Sequence, residues 1–173
     1  MKLSTLIFII QFGFPTFAFS QDGAKLLLLP FQLNDMTDLP NAPDELNRIA
    51  LLSKTVQKSL EEKSVNLVAV PSEVLNEMEK NSATYIFDRV EVAAEIGAKA
   101  GADYVFVGVA LKPTYLFVYP RVLLIDVQTK KVTKARAFQL ESSWTDQNTT
   151  IITGKKIANA IKEDLDKASV KGK

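Results

Sequence analysis

Residues Tyr104 to Leu111 read YVFVGVAL, with no charged or amide side chain anywhere in the run. A strand with one wet face alternates apolar and polar residues, so an unbroken apolar strand must be covered on both faces. The residues before it supply one cover. Asp88-Arg-Val-Glu91 has capping-box spacing and predicts a helix whose Val90, Ala93, Ala94, Gly97 and Ala100 form a small-residue face, able to lie close on a sheet. Gly101 is placed to stop that helix, and Asp103 falls in the helix-to-strand turn, where a short acid can bond backbone amides. Gly108 inside the strand predicts a close approach by a neighbour or a bulge.

The remaining elements fit around that strand. Ala24 to Phe31 reads as a short buried strand, and Gln32 to Ala42 as a polar loop. Leu46, Ile49, Leu52, Val56 and Leu60 make one stripe of a helix from Asp44 to Lys63, with Asp44 and Glu45 favouring the positive end of its dipole. Val65 to Val70 is a second strand. Ser72 caps a brief helix to Lys80, with Leu75 and Met78 facing inward. Thr114 to Val127 predicts a long strand in which Pro120 implies an edge or bulge, and Lys131 to Glu141 returns beside it. Asp126 and Thr129 hold the turn between them. A last helix runs from Thr149 to Lys167 with Ile157, Ala158, Ile161 and Leu165 inward. The order predicts a single α/β domain over residues 21–173: a mixed sheet of about five strands with a C-terminal antiparallel meander, covered by helices.

Residues 1–20 differ in kind. Lys2 precedes the apolar run Leu6 to Phe14, Pro15 breaks it, and Ala18-Phe19-Ser20 supplies small residues where a signal peptidase reads. This is the layout of a secretory signal cleaved after Ser20, and it is too short for a membrane span, which needs about 20 apolar residues. No transmembrane span is expected after cleavage. The chain left behind carries 20 basic and 20 acidic residues once Lys2 is removed from the 21. A nucleic-acid binder shows a basic excess, so no nucleic-acid partner is expected. Cysteine and histidine are both absent. That excludes a cysteine-anchored lipid, disulfides, zinc sites of the usual ligands, histidine-based triads and cysteine nucleophiles. No cofactor, metal or catalytic residue is expected.

Four constellations remain. Asn34, Asp35, Asp38 and Asn41 offer oxygen ligands but lack the glycine and terminal glutamate of a calcium loop, so they read as a plain loop. Lys112, Arg121, Lys130, Lys131, Lys134 and Arg136 face only Asp126 across residues 112–136; with Tyr115, Phe117 and Tyr119 nearby they could hold an acidic surface, or simply protect an edge strand. Glu73, Glu77, Glu79, Asp88, Glu91 and Glu95 could in principle serve a carboxylate hydrolase, though their helical spacing is that of solvated faces. Trp144, between the last strand and the last helix, is either an interaction anchor or a lid over the core.

The stretches LLLLPFQL, AAEIGAKAGADYVFVGVALK, LLIDVQTKKV and SSWTDQ together resemble an uncharacterised family of exported bacterial proteins, a domain of unknown function. More distantly they are similar to the N-terminal domain of TolB and the periplasmic domain of the curli secretion protein CsgG. Lys130 stands where such hairpins carry glycine, and neither a lipidation cysteine nor a pore-forming or propeller segment accompanies the motifs. The resemblance implies a compact periplasmic binding or scaffold module. The leading expectation is a non-enzymatic exported module for a protein or envelope partner, with Lys112, Arg121, Lys131, Lys134, Arg136 and Trp144 as its surface. The alternatives are a small-ligand carrier, for an anion or nucleotide at the strand ends around Asp103, and the carboxylate hydrolase.

Overall fold

The computed structural model describes residues 23–38, 40, 42–139 and 146–171, without the side chains of 169–171. The proposed leader and Trp144 lie outside the described residues. In chain order the elements are β1 (Lys25–Leu28), β2 (Gln32–Asp35), α1 (Pro43–Glu61), β3 (Asn66–Val68), α2 (Ser72–Lys80), α3 (Val90–Ala100), β4 (Tyr104–Lys112), β5 (Tyr119–Asp126), β6 (Lys131–Ala137) and α4 (Gln147–Lys171). The sheet runs β3-β1-β4-β5-β6, with β2 also on β4, and the last three strands form the antiparallel meander. The fold class is the one expected, with a sixth strand.

That sixth strand is the first half of the stretch that reads as a loop. Leu28 pairs with Phe106 and Gln32 with Val109, so four steps along one chain match three along the other. β1 and β2 are therefore one path along the edge of β4, broken by a single-residue bulge at Leu29-Pro30-Phe31, where Pro30 has no donor to give. Gln32-Leu-Asn-Asp35 looks polar because only Leu33 of the four is buried and apolar.

The centre of the sheet is covered on both sides. Leu26, Phe106, Ala110, Val122 and Leu124 pack under α1 and α4 through Ile49, Leu52, Val56, Ile157 and Ile161. Leu27, Val105, Val107, Leu123 and Ile125 pack under α2 and α3 through Val74, Met78, Ala93, Ala94 and Ile96. Successive residues of β4 thus enter opposite cores, which is why that strand shows no alternation. Leu46 departs from the predicted stripe and is exposed, as is Leu75 on α2.

The turns keep to their local signals. Gly101 ends α3 at φ 73°, in the left-handed region. Asp103 accepts a 2.8 Å bond from the Lys25 amide, and its own N–H donates to the Lys25 carbonyl, stapling β1 to the turn before β4. Asp126 accepts from both the amide and hydroxyl of Thr129, while Lys130 adopts φ 53° where a glycine would be at ease. The caps differ from expectation. Ser72 is the first residue of α2 rather than its cap, and α3 starts after Arg89 with no side-chain cap bond, so Asp88 belongs to the preceding turn. Residues 113–118 are loop, not strand; Pro120 stands second in β5, its carbonyl accepting from Phe138 just past β6. β6 stops at Ala137.

Gly108 marks a close approach. A Cβ there would lie 2.6 Å from the Phe31 ring, which also meets Phe106 edge to face with centroids 5.5 Å apart. Gly108→Ala should therefore lower stability by about 1–3 kcal/mol through overpacking. A denaturant titration reads this as a lower midpoint at constant slope, and adding Phe31→Leu should recover part of the loss.

Candidate functional site

Of the six residues expected to form one surface, Trp144 lies outside the described residues, and the other five do not share one face. Lys112, at the carboxyl end of β4, is not a surface group: its side chain is 2% exposed. Even-numbered β4 residues point toward α1 and α4, so its ammonium is carried into the gap between β2 and the first turn of α1. There it meets Asp35 at 3.1 Å and Glu45 at 3.2 Å. Asp35 is its register partner on β2 and is fully covered; Thr37 bonds the other carboxylate oxygen through its amide and hydroxyl. Asp35 is thus a committed ion-pair member rather than part of a plain loop, and Asn41 lies outside the described residues.

Burial alone would push the Asp35 carboxyl up, but the bonds from Thr37 and the Lys112 ammonium outweigh it and hold the group below its ordinary value. Burial likewise opposes the charged form of Lys112, and the bonds to Asp35 and Glu45 reverse that, raising its pKa. The triad ties the ends of β2 and β4 to the start of α1. It also steadies the chain just beyond the two strands. The Met36 amide donates to the Lys112 carbonyl, and the Tyr115 ring stands 5.5 Å from the Lys112 ammonium.

Above this ion triad the surface is apolar. Met36 is 64% exposed, Tyr115 54%, Leu116 74% and Phe117 47%, and Phe117 stacks on Tyr119. Lone exposed apolar residues are ordinary, but four large ones at one end of a sheet are not. Asp38 and Asp44, both exposed, belong to the adjoining loop and the α1 start. In the sequence Tyr115 and Phe117 stand out only as companions of the lysines; Met36 carries no signal, since its place beside them depends on β2 pairing with β4.

The other cations separate onto two faces. Arg121 lies on the α3 side, its guanidinium 5.3 Å from the centre of the Phe87 ring, and so does not join the lysines. Lys131, Lys134 and Arg136 pair with Asp126, Leu124 and Val122, which puts all three on the α4 side of β6. Arg136 is forked onto the buried Asp164 carboxylate of α4 at 2.8 and 2.6 Å. Lys131 and Lys134 are exposed.

The strand ends around Asp103 do not suit an anion. The open cleft there is lined by Ala24, Asp103, Tyr104, Asp126 and Gln128, two carboxylates with no cation among them. At the opposite ends of β1 and β3 a groove of about 210 Å³ is lined by Leu28, Pro30, Phe31, Ser53, Val70 and Leu75. It is below the roughly 300–1,000 Å³ typical of ligand pockets. Glu73, Glu79, Asp88, Glu91 and Glu95 are exposed, and Glu77 is half-buried. Among the described residues, no group of three or more acidic side chains is placed to hold a metal ion, and no helix is long and apolar enough to cross a membrane.

The sequence profile of one family matches residues 24–149, from the start of β1 into α4. The chain belongs to the DUF3280 family. That family is described as "Protein of unknown function (DUF2380)". No curated protein matches the chain. Among solved structures, the fold is similar to the LpoB C-terminal domain from Escherichia coli, at TM-score 0.50 and 17% identity over 69% of this chain and 84% of that one. It is similar to lipoprotein GNA1162 from Neisseria meningitidis at 0.50 and 16%, covering 81% and 95%. It is also similar to TolB from Acinetobacter baumannii at 0.51 and 17%, covering 83% of this chain but 28% of TolB. At these identities the likeness is one of fold.

Lys112→Met would strand the Asp35 carboxylate in the interior and should cost about 3–5 kcal/mol, with the double variant Lys112→Met/Asp35→Asn recovering much of it. Chemical denaturation of the four proteins measures the cycle. Because the Asp35 carboxyl is held below its ordinary 3.8 in the folded state, its contribution is present above that value and lost as pH falls through the folded one. Asp35→Asn should therefore flatten the fall in stability below about pH 4, seen by melts across an acid series.

Proposed function

We propose that this DUF3280 chain is a non-enzymatic module of the cell envelope that binds a protein partner, with the apolar tip at the carboxyl end of β4 as its contact. The exposed cluster of Met36, Tyr115, Leu116 and Phe117 on a rigid ion-paired base is the observation that carries this reading. Aromatic residues and methionine are the types enriched at protein interfaces, and the two loops that carry this cluster are anchored at their strand ends by the Lys112 ion triad. The neighbouring Asp38 and Asp44 favour a partner with an apolar recess and a basic rim. Export is supported by the leader-like residues 1–20 and by the shared fold with a protein described as a lipoprotein.

A catalytic reading has less behind it: the chain has no histidine or cysteine, and the acids it could use are exposed, apart from the half-buried Glu77. The small-ligand reading meets a cleft of the wrong charge at Asp103 and a groove too small for a nucleotide at the other end.

A photo-cross-linking residue at position 116, in cells making the full chain, should trap one discrete adduct. The same residue at exposed position 75 on α2 should not. Leu116→Ser/Phe117→Ser should change stability by no more than about 1 kcal/mol, about 0.5 for each exposed substitution, while abolishing an adduct formed from position 115. Equal labelling at 75 and 116, or none at 116, would rule out the tip as the contact.

A further inference from the structure

The sheet has two edges, and they are unequal. β3 spans three residues, Asn66–Val68, whereas β6 spans seven, and every residue of β6 is exposed. On its inner side β6 pairs with β5; among the described residues nothing pairs with its outer side. The ladder fixes which backbone groups point outward. Phe138 donates to the Pro120 carbonyl, so 138 is an inward-bonded position, and antiparallel alternation makes 136 and 134 inward as well. The N–H and C=O of Ala135 and Ala137 therefore face away from the sheet. A bulge at Thr133, whose hydroxyl bonds the Leu124 carbonyl, limits the regular free run to Lys134–Ala137.

The side chains divide along the same strand. Lys131, Lys134 and Arg136 lie on the α4 face, while Val132, Ala135 and Ala137 lie on the α3 face with Leu123 and Ile125 of β5 beyond them. One face is basic and the other is small and apolar. A second copy of β6 laid alongside would oppose three cations with three cations, so self-pairing through this edge is disfavoured. Along the regular run, an extended segment with acids at alternate positions would set them beside Lys134 and Arg136 and its intervening side chains over the alanines, while Lys131 lies past the bulge.

We propose that β6 is a docking edge for an extended segment of a partner protein whose residues alternate acidic and apolar, added to the sheet as a further strand. This surface is separate from the apolar tip and does not depend on it. Main-chain bonds to Ala135 and Ala137 hold the segment, and the cations set its register. Arg136 is already engaged by Asp164 and Lys131 stands past the bulge, so Lys134 makes the new charge pair in register and Lys131 adds only a nearby positive charge. The charge contribution weakens with salt, because these groups are exposed.

The test uses the full mature chain and capped synthetic peptides followed by NMR titration: Glu-Val-Glu-Val-Glu-Val, its block isomer Glu-Glu-Glu-Val-Val-Val, and the alternating peptide with backbone N-methyl groups on every second residue. The alternating peptide should shift the Ala135 and Ala137 amide signals and bind at least about tenfold more tightly than the block isomer, the size expected from a few cross-strand pairs. Methylating the set of amides that faces β6 should abolish binding, and methylating the other set should not. Ala135→Pro removes an outward donor without touching a ladder bond or a charge, and should also abolish it. Lys131→Glu/Lys134→Glu should transfer the preference to Lys-Val-Lys-Val-Lys-Val. Should Ala135→Pro fail to fold, the methylated peptides decide the matter on the unaltered protein. Equal affinity for alternating and block peptides, indifference to backbone methylation, or no binding by the alternating peptide would overturn the proposal. The cross-linking outcome at position 116 stays independent of all three results.

Discussion

The molecule is organised by the desolvation of β4. The strand is hydrogen-bonded along both edges, by β1 and β2 on one side and β5 on the other, and each of its faces lies under helices. A backbone so buried must have its polar groups paired, and this one does so by recruiting three of the other five strands. The alternating residues Val105, Phe106 and Val107 then give each helix layer its floor. Close approach is the consequence: Phe31 folds over Gly108 and Gly97 of α3 lies on Val105, and neither glycine tolerates added bulk.

The same strand sets the limits of the functional surface. By carrying Lys112 at its carboxyl end it brings a cation into the interior, where only carboxylates can make it tolerable, and Asp35 and Glu45 arrive from two other elements. Such a triad is a poor source of net stability but a good means of fixing register, since a slip of β2 by one residue would bury Lys112 without Asp35. The Met36 and Tyr115–Phe117 cluster above it is positioned by that register. The far edge of the sheet is the opposite case: among the described residues no strand pairs with the outer side of β6, and its character comes from which side of the ladder each cation occupies.

Much of the architecture is legible because it rests on short-range rules. Gly101 as a helix stop, Asp103 as a backbone-binding turn residue, the Asp126–Thr129 turn and the inner face of α4 all follow from local chemistry. The departures share a cause as well. Gln32–Asp35 reads as a loop and Lys112 as a surface cation because polar residues are assigned to water by default. In both places a partner distant in sequence takes the place of water: Lys112 lies 77 residues from Asp35. The lysines and arginines of residues 112–136 look like one patch because they are near in sequence, and a pleated sheet sends neighbours to opposite faces.

Sequence alone determined the class of the fold and the chemistries closed to it. An apolar run without alternation requires two covering layers, and a chain without histidine or cysteine cannot build the sites those residues make. Tertiary structure alone decided which charges are buried, which are forked onto acids and which stay free. Burial of a long polar side chain is a property of what packs against it, and no local pattern encodes that. The apolar tip is the clearest instance: its members come from two loops that meet because β2 and β4 are parallel neighbours, a pairing that depends on long-range closure rather than on any residue's own preference.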